Sequence, residues 1–279
     1  ANLVNAELKG FNVTPETSAG ASENIRRVNN GEVEMAGVFA SDMHDAYHAQ
    51  GLFAGKRQAN IRAIGVLNLS YTHIVALKES GIKTVTDLKG KKVAVGGTGS
   101  GTSLMTERYF KQLGMWDDIK KVYLGGNDSA TALKDRQVDA FVWNPGIPGP
   151  TVIDVASARD IVLLDVYTPA QKSGFLQANP FYTKGVIPAK VYRGVDKEVL
   201  TLQSGAYWIA RHDVPENVVY PMTKAAYAPE GVKKLMKIFK PLAAMGKNPL
   251  DGITIPLHPG AEKYFREAGL KIPDSIRAK

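Results

Sequence analysis

The chain has 279 residues, 44% hydrophobic and 22% charged, enough for one large or two medium globular domains with a sizeable core. The absence of cysteine excludes disulfides, thiolate nucleophiles and cysteine-ligated metals, and no apolar run approaches the roughly 18 residues that span a bilayer. The net charge of +8 favours anionic partners, but the basic residues are dispersed, without an arginine-rich arm or an aromatic RNA-binding signature, so nucleic-acid binding is not expected.

No charged n-region with an apolar h-region opens the sequence; either the chain is cytosolic or a targeting segment has been removed. Leu3, Val4 and Leu8 form one apolar stripe with no cap before them, so residues 1–8 are expected to be the tail of a helix. A short strand is expected over Phe11–Thr14. Gly20 to Ser22 then turn the chain into a helix with Ile25 and Val28 inward, Ser22 as N-cap and Gly31 as its end. Val33–Val38 reads as a strand, Asp42–Gln50 as a helix, and Asn60–Leu67 and Tyr71–Leu77 as extended apolar runs.

Lys92–Thr102, KVAVGGTGSGT, follows the turn Thr86–Gly90. A buried strand leads into four glycines within six residues, and from Ser103 the apolar Leu104, Met105, Tyr109 and Leu113 predict a helix. Free N–H groups and the positive dipole end of that helix suit an anion. A P-loop is excluded because Thr102 stands where its lysine belongs, and Gly97, Gly99 and Gly101 fit a dinucleotide fingerprint poorly. Two readings remain: a carboxylate held by Gly97, Thr98, Ser100, Gly101 and Thr102, or a tight turn without a ligand.

Strands are predicted at Lys121–Leu124, Asp139–Trp143 and Ile161–Val166, and helices at Thr151–Ala158 and Ala170–Ala178. Asn144–Pro150, NPGIPGP, can only be a rigid loop. Val199–Arg211 is extended, with helices over Glu216–Tyr227, Pro229–Ala244 and Gly260–Gly269. An internal echo at an offset of 105 sets Gly20 on Gly125, Val28 on Leu133, Val33 on Val138 and Glu34 on Asp139. Two loop–helix–strand units imply two α/β lobes. His44 and His48 lie four apart but lack the glutamate of a zinc-protease helix, Ser80–Lys83 has no accompanying S-D-N or K-T-G, and Ser100 has no marked histidine partner. No catalytic set, metal site or cofactor is therefore expected.

Gly20–Asn24, Val93–Thr102, Val138–Pro148 and above all Leu257–Gly269, LHPGAEKYFREAG, together resemble the TAXI group of extracytoplasmic solute receptors that serve TRAP-type transporters. The resemblance implies a two-lobed α/β fold of the type II periplasmic-binding-protein kind, with a ligand cleft between lobes joined by crossing strands. It implies lobes of residues 1–72 with 187–279 and of 73–186, a periplasmic location, and a monomer that passes a small organic acid (glutamate-like, dicarboxylate, oxoacid or aromatic) to membrane permease subunits. It adds Ser22, Glu23 and Asn24 as one helix start at the ligand, and Trp143, Gly146, Pro148 and Tyr182 as cleft residues; Trp143 also reads as an ordinary core residue and Tyr182 as a boundary one. Members open with a strand and a glycine-rich loop near G-G-T-Y, whereas this chain starts inside the following helix, so that contribution to the cleft is expected to be missing. The alternative is an effector-sensing domain or an enzyme on the same scaffold.

Overall fold

The computed structural model describes residues 1–18 and 20–278, which divide into two compact units: Ala1–Leu69 with Ser204–Lys279, and Ser70–Gln203. Unit 1 opens with α1 (Asn2–Glu7), α2 (Ala21–Asn30), β1 (Met35–Phe39), α3 (Ala40–Tyr47) and β2 (Ile61–Tyr71). Ile25 and Val28, three apart on α2, are fully buried, and Gly31 closes the helix in the left-handed region at φ 78°. The strand expected over Phe11–Thr14 does not form. The side chain of Asn5 donates to the Val13 carbonyl at 3.0 Å and accepts its N–H at 2.7 Å, taking both backbone groups that a ladder would use.

Unit 2 contains β3 (His73–Leu77), β4 (Lys92–Ala94), α4 (Gly101–Gln112), β5 (Lys120–Val122), α5 (Gly126–Lys134), β6 (Ala140–Trp143), α6 (Pro150–Ala158), β7 (Ile161–Leu163), α7 (Tyr167–Lys172), α8 (Phe175–Ala178) and β8 (Thr183–Ile187). Its five-stranded sheet runs β5-β4-β6-β3-β7, with β4 parallel to β5 and β6, and β3 antiparallel to β6 and β7. Helices cover both faces. Ile74, Ala76, Val93 and Val142 join Met105, Tyr109 and Phe110 of α4 in one core, while Val75, Leu77, Ala94 and Phe141 join Leu133 of α5 and Val152 and Val155 of α6 in the other. The two-residue side-chain period sorts successive residues to opposite faces, and a strand buried on both reads as the unbroken run HIVAL. The helix expected over Ala170–Ala178 is broken between α7 and α8, where Gly174 turns left-handed at φ 78°.

The chain completes unit 1 with β9 (Val199–Arg211), α9 (Glu216–Tyr227), α10 (Pro229–Ile238), α11 (Ala244–Lys247) and α12 (Pro259–Glu267). β9 lies between β1 and β2 and also pairs with β8. The return boundary falls at residues 203–204 rather than 186–187 as expected, because β8 pairs with Val199–Gln203 and holds the first part of β9 in unit 2. The helix expected to reach Ala244 stops at Ile238; Pro241 has no N–H to continue it, and a 3-10 turn over Lys240–Ala243 follows. In the HPGA stretch, His258 caps α12 by accepting the Gly260 N–H at 3.1 Å. A Cβ on Gly260 would lie 2.7 Å from the Tyr220 nitrogen, so glycine lets α12 seat directly on the backbone of α9. Both units are α/β, the class expected from the sequence. Among the described residues no helix is long and apolar enough to cross a membrane.

Candidate functional site

Because β4, β5 and β6 are parallel, their C-terminal ends share one edge of the unit 2 sheet, and each feeds a loop that opens a helix. β5 and β6 flank β4 on opposite sides, a reversal of strand order that in α/β sheets leaves room for a ligand beyond the strand ends. The three loops meet there. A Cβ on Gly97 would be 3.9 Å from the Gly125 nitrogen, and one on Gly126 would lie 2.6 Å from Cε2 and Cζ2 of Trp143, whose ring covers the start of α5. Asn144 Nδ2 donates to Thr102 Oγ1 at 3.5 Å.

The glycine loop is built to begin α4. Gly96 has φ 97°, and a Cβ there would be 2.7 Å from the Ser103 nitrogen. Ser100 is the N-cap: its Oγ accepts the Ser103 N–H at 3.1 Å, and Ser103 Oγ donates to the Ser100 carbonyl at 3.0 Å. The helix therefore starts at Gly101, two residues before the expected Ser103. The N–H groups of Gly101 and Thr102, in its first turn, have no carbonyl four residues back to bond, and they sit at the positive end of the dipole. Thr98 and Gly101 are exposed, Gly97 and Ser100 half-buried, and Thr102 buried. Leu104, expected inward, is 54% exposed because Met105, Tyr109 and Phe110 occupy the inner face of α4. Replacing Ser100 by alanine is expected to cost about 1 kcal/mol of stability through the lost cap, readable from denaturant unfolding.

The loop 144–149 is pinned from beneath. Tyr71 N–H donates to the Pro145 carbonyl at 2.8 Å. Gly149 N–H donates to the Tyr192 hydroxyl at 2.7 Å, that hydroxyl donates to His73 Nε2 at 2.9 Å, and His73 Nδ1–H donates to the Tyr71 carbonyl at 2.8 Å. His73 and Tyr192 are only 1% and 2% exposed. Burial pushes the His73 pKa down to about 4, against the opposing pull of the Tyr71 carbonyl, so the ring is neutral with its proton on Nδ1. Asn144 Oδ1 is buried without a hydrogen-bond partner. Gly146 is half-buried and Pro148, after a cis peptide bond, is exposed. His73, Tyr192 and Asn144 were not among the residues singled out in the sequence; the one signal was a histidine at the head of the apolar run HIVAL.

Of the other expected residues, Ser22, Glu23 and Asn24 belong to unit 1 and Tyr182 to unit 2. Gly20, not Ser22, caps α2; Ser22 Oγ donates to Asp42 Oδ1 at 3.1 Å, and Asn24 Nδ2 donates to the Gly37 carbonyl at 2.8 Å. With Glu23 also in its first turn, this helix start in unit 1 carries its own carboxylates. Tyr182 packs with Phe175 and Phe181, ring centroids 5.3 and 4.9 Å apart, against the core beneath α4. His44, expected on a solvated face, is 8% exposed, and His48 Nε2 is 3.2 Å from the Thr254 carbonyl. Surface depressions of about 550 Å³ at Glu216, Tyr220 and Lys263 and about 630 Å³ at Lys78, Arg159 and Arg193 are lined by side chains already paired as Lys263–Glu216 and Arg193–Asp160.

The model of the NMT1-like family matches residues 1–269. The chain belongs to the NMT1-like family. Solved structures similar to this NMT1-like protein include the periplasmic aliphatic sulphonate binding protein SsuA of Escherichia coli, at 17% identity over 92% of this chain and 82% of that one, TM-score 0.46. The alkanesulfonate-binding protein SsuA of Xanthomonas axonopodis pv. citri, bound to MOPS, matches at 14% over 88% and 75%, TM-score 0.42. The substrate binding protein of an amino acid ABC transporter matches at 16% over 86% of each chain, TM-score 0.44.

Proposed function

We propose that this NMT1-like protein is an extracytoplasmic solute-binding protein that captures a small organic carboxylate and delivers it, chemically unchanged, to membrane transporter subunits. The observation that carries this reading is the meeting of three strand-end loops where Gly101 and Thr102 N–H groups open α4. The carboxylate takes those N–H groups with the Ser100 hydroxyl beside them, Gly97 and Thr98 leave the backbone open to it, and Trp143, Gly146 and Pro148 line the approach. The dispersed net charge of +8 draws anions to the surface at large. The resemblance of Leu257–Gly269 to the TAXI receptors favours a TRAP-type permease as the partner.

A thermal-shift panel of dicarboxylates, amino acids, oxoacids and aromatic acids tests the reading. A ligand at one hundred times its Kd stabilises the native state by about 2.7 kcal/mol and raises the midpoint by several degrees. A panel in which no acid moves the midpoint overturns the proposal, and recovery of an altered compound from the bound fraction replaces it with an enzyme.

A further inference from the structure

A chain of polar groups runs beneath the loop 144–149. His73 comes from β3, where it pairs with Trp143, and Tyr192 lies 119 residues further along. Their hydrogen bonds run one way: Gly149 N–H to Tyr192 oxygen, Tyr192 hydroxyl to His73 Nε2, His73 Nδ1–H to the Tyr71 carbonyl. Tyr71 N–H returns to the Pro145 carbonyl, so one buried circuit grips the loop near both ends. Between those anchors the loop carries Gly146 and Pro148, and just before them Asn144 reaches Thr102 at the start of α4. Every link has a definite donor and acceptor, and Pro145 and Pro148, with Pro150 directly after the loop, leave few backbone N–H groups that could hold it otherwise.

We infer that His73 and Tyr192 are positioning residues for anion capture: they hold loop 144–149 in the register that brings Asn144 to Thr102, without touching the ligand. The inference rests on the proposed carboxylate site, but its first half concerns the loop alone. Pro145, Pro148 and Pro150 have no amide proton, so hydrogen exchange of a peptide spanning 144–150 reports Asn144, Gly146, Ile147 and Gly149. Tyr192→Phe removes the bridging hydroxyl. Tyr109→Phe is the matched control, since its hydroxyl is equally buried and donates to the Val166 carbonyl at 3.0 Å, away from the loop.

The expected result is that Tyr192→Phe speeds exchange of that peptide at least about fivefold in the ligand-free protein and weakens L-glutamate binding, measured by calorimetry, by a similar factor, whereas Tyr109→Phe alters both less than about twofold at a comparable loss of stability. Unchanged exchange in Tyr192→Phe overturns the positioning role whatever the ligand. Faster exchange with unchanged glutamate affinity overturns the link from loop to site. If the wild-type protein binds no acid, the proposed function itself fails, and the exchange arm still decides whether Tyr192 holds the loop.

Discussion

Replacing Gly96 by alanine is expected to destabilise unit 2 by about 3 kcal/mol and to lower acid affinity at least about tenfold. Two costs combine. The backbone at Gly96 has φ 97°, where an L-residue is strained by roughly 1–3 kcal/mol. The added Cβ would also stand 2.7 Å from the Ser103 nitrogen and 2.9 Å from Thr102 Cγ2. Neither neighbour yields easily, because Ser103 N–H is held by the Ser100 cap and Thr102 is a buried first-turn residue of α4. Relief comes only by shifting the helix start that presents the Gly101 and Thr102 N–H groups. Gly97→Ala is the internal comparison: no positive φ is required there and the nearest atom is 3.9 Å away, so stability should change by no more than about 1 kcal/mol. Equal denaturant midpoints for the two variants would contradict this account.

Acid should destabilise unit 2 through His73. Its pKa is about 4 in the folded protein against 6.5 when exposed, so the unfolded chain takes up the proton first as pH falls. The contribution of the neutral ring is complete above about pH 6.5, declines through the interval down to 4, and by then about 3 kcal/mol is gone. Structurally, a proton on Nε2 removes the acceptor for the Tyr192 hydroxyl, which then faces two donors, His73 and Gly149 N–H. His258 in unit 1 is also shifted down by burial and adds a loss of the same sign, so the total curve alone does not isolate His73. Comparison with His73→Gln does. The stability advantage of the wild-type protein over that variant should shrink by about 3 kcal/mol between pH 7 and pH 4 in urea titrations. A constant advantage would mean that His73 is not held neutral.

Much of the fold could be read in advance where apolar periodicity runs long. β9 and α9 begin and end at the residues expected, Val199–Arg211 and Glu216–Tyr227. The echo at an offset of 105 also has structural content: Gly20 and Gly125 both cap helices, and Val28 and Leu133 are both fully buried. Short segments went astray where a side chain intervened. Asn5 captured the backbone of Val13, and Asp42 took the Ser22 hydroxyl, leaving Gly20 to start α2. At the candidate site, glycine spacing was enough to place the loop before α4, because left-handed turns and helix starts are local properties. The circuit through His73, Tyr192 and Gly149 was invisible for the opposite reason: it joins three distant stretches, and nothing in the neighbourhood of Tyr192 marks its hydroxyl as a bridge. The HPGA stretch, the most specific part of the family resemblance, serves the packing of α12 on α9 through Gly260.

Unit 2 is one uninterrupted segment, Ser70–Gln203, which in the sequence falls between the two stretches that make unit 1. During translation the ribosome finishes the inner unit first, whereas β1 waits for its partner residues Ala206–Ala210 to be polymerised. Residues 1–69 therefore precede unit 2 in the chain yet find their strand partners after it, and a nascent chain arrested soon after residue 203 leaves the exit tunnel would carry a structured unit 2 beside an unpaired 1–69 that is open to proteases and chaperones.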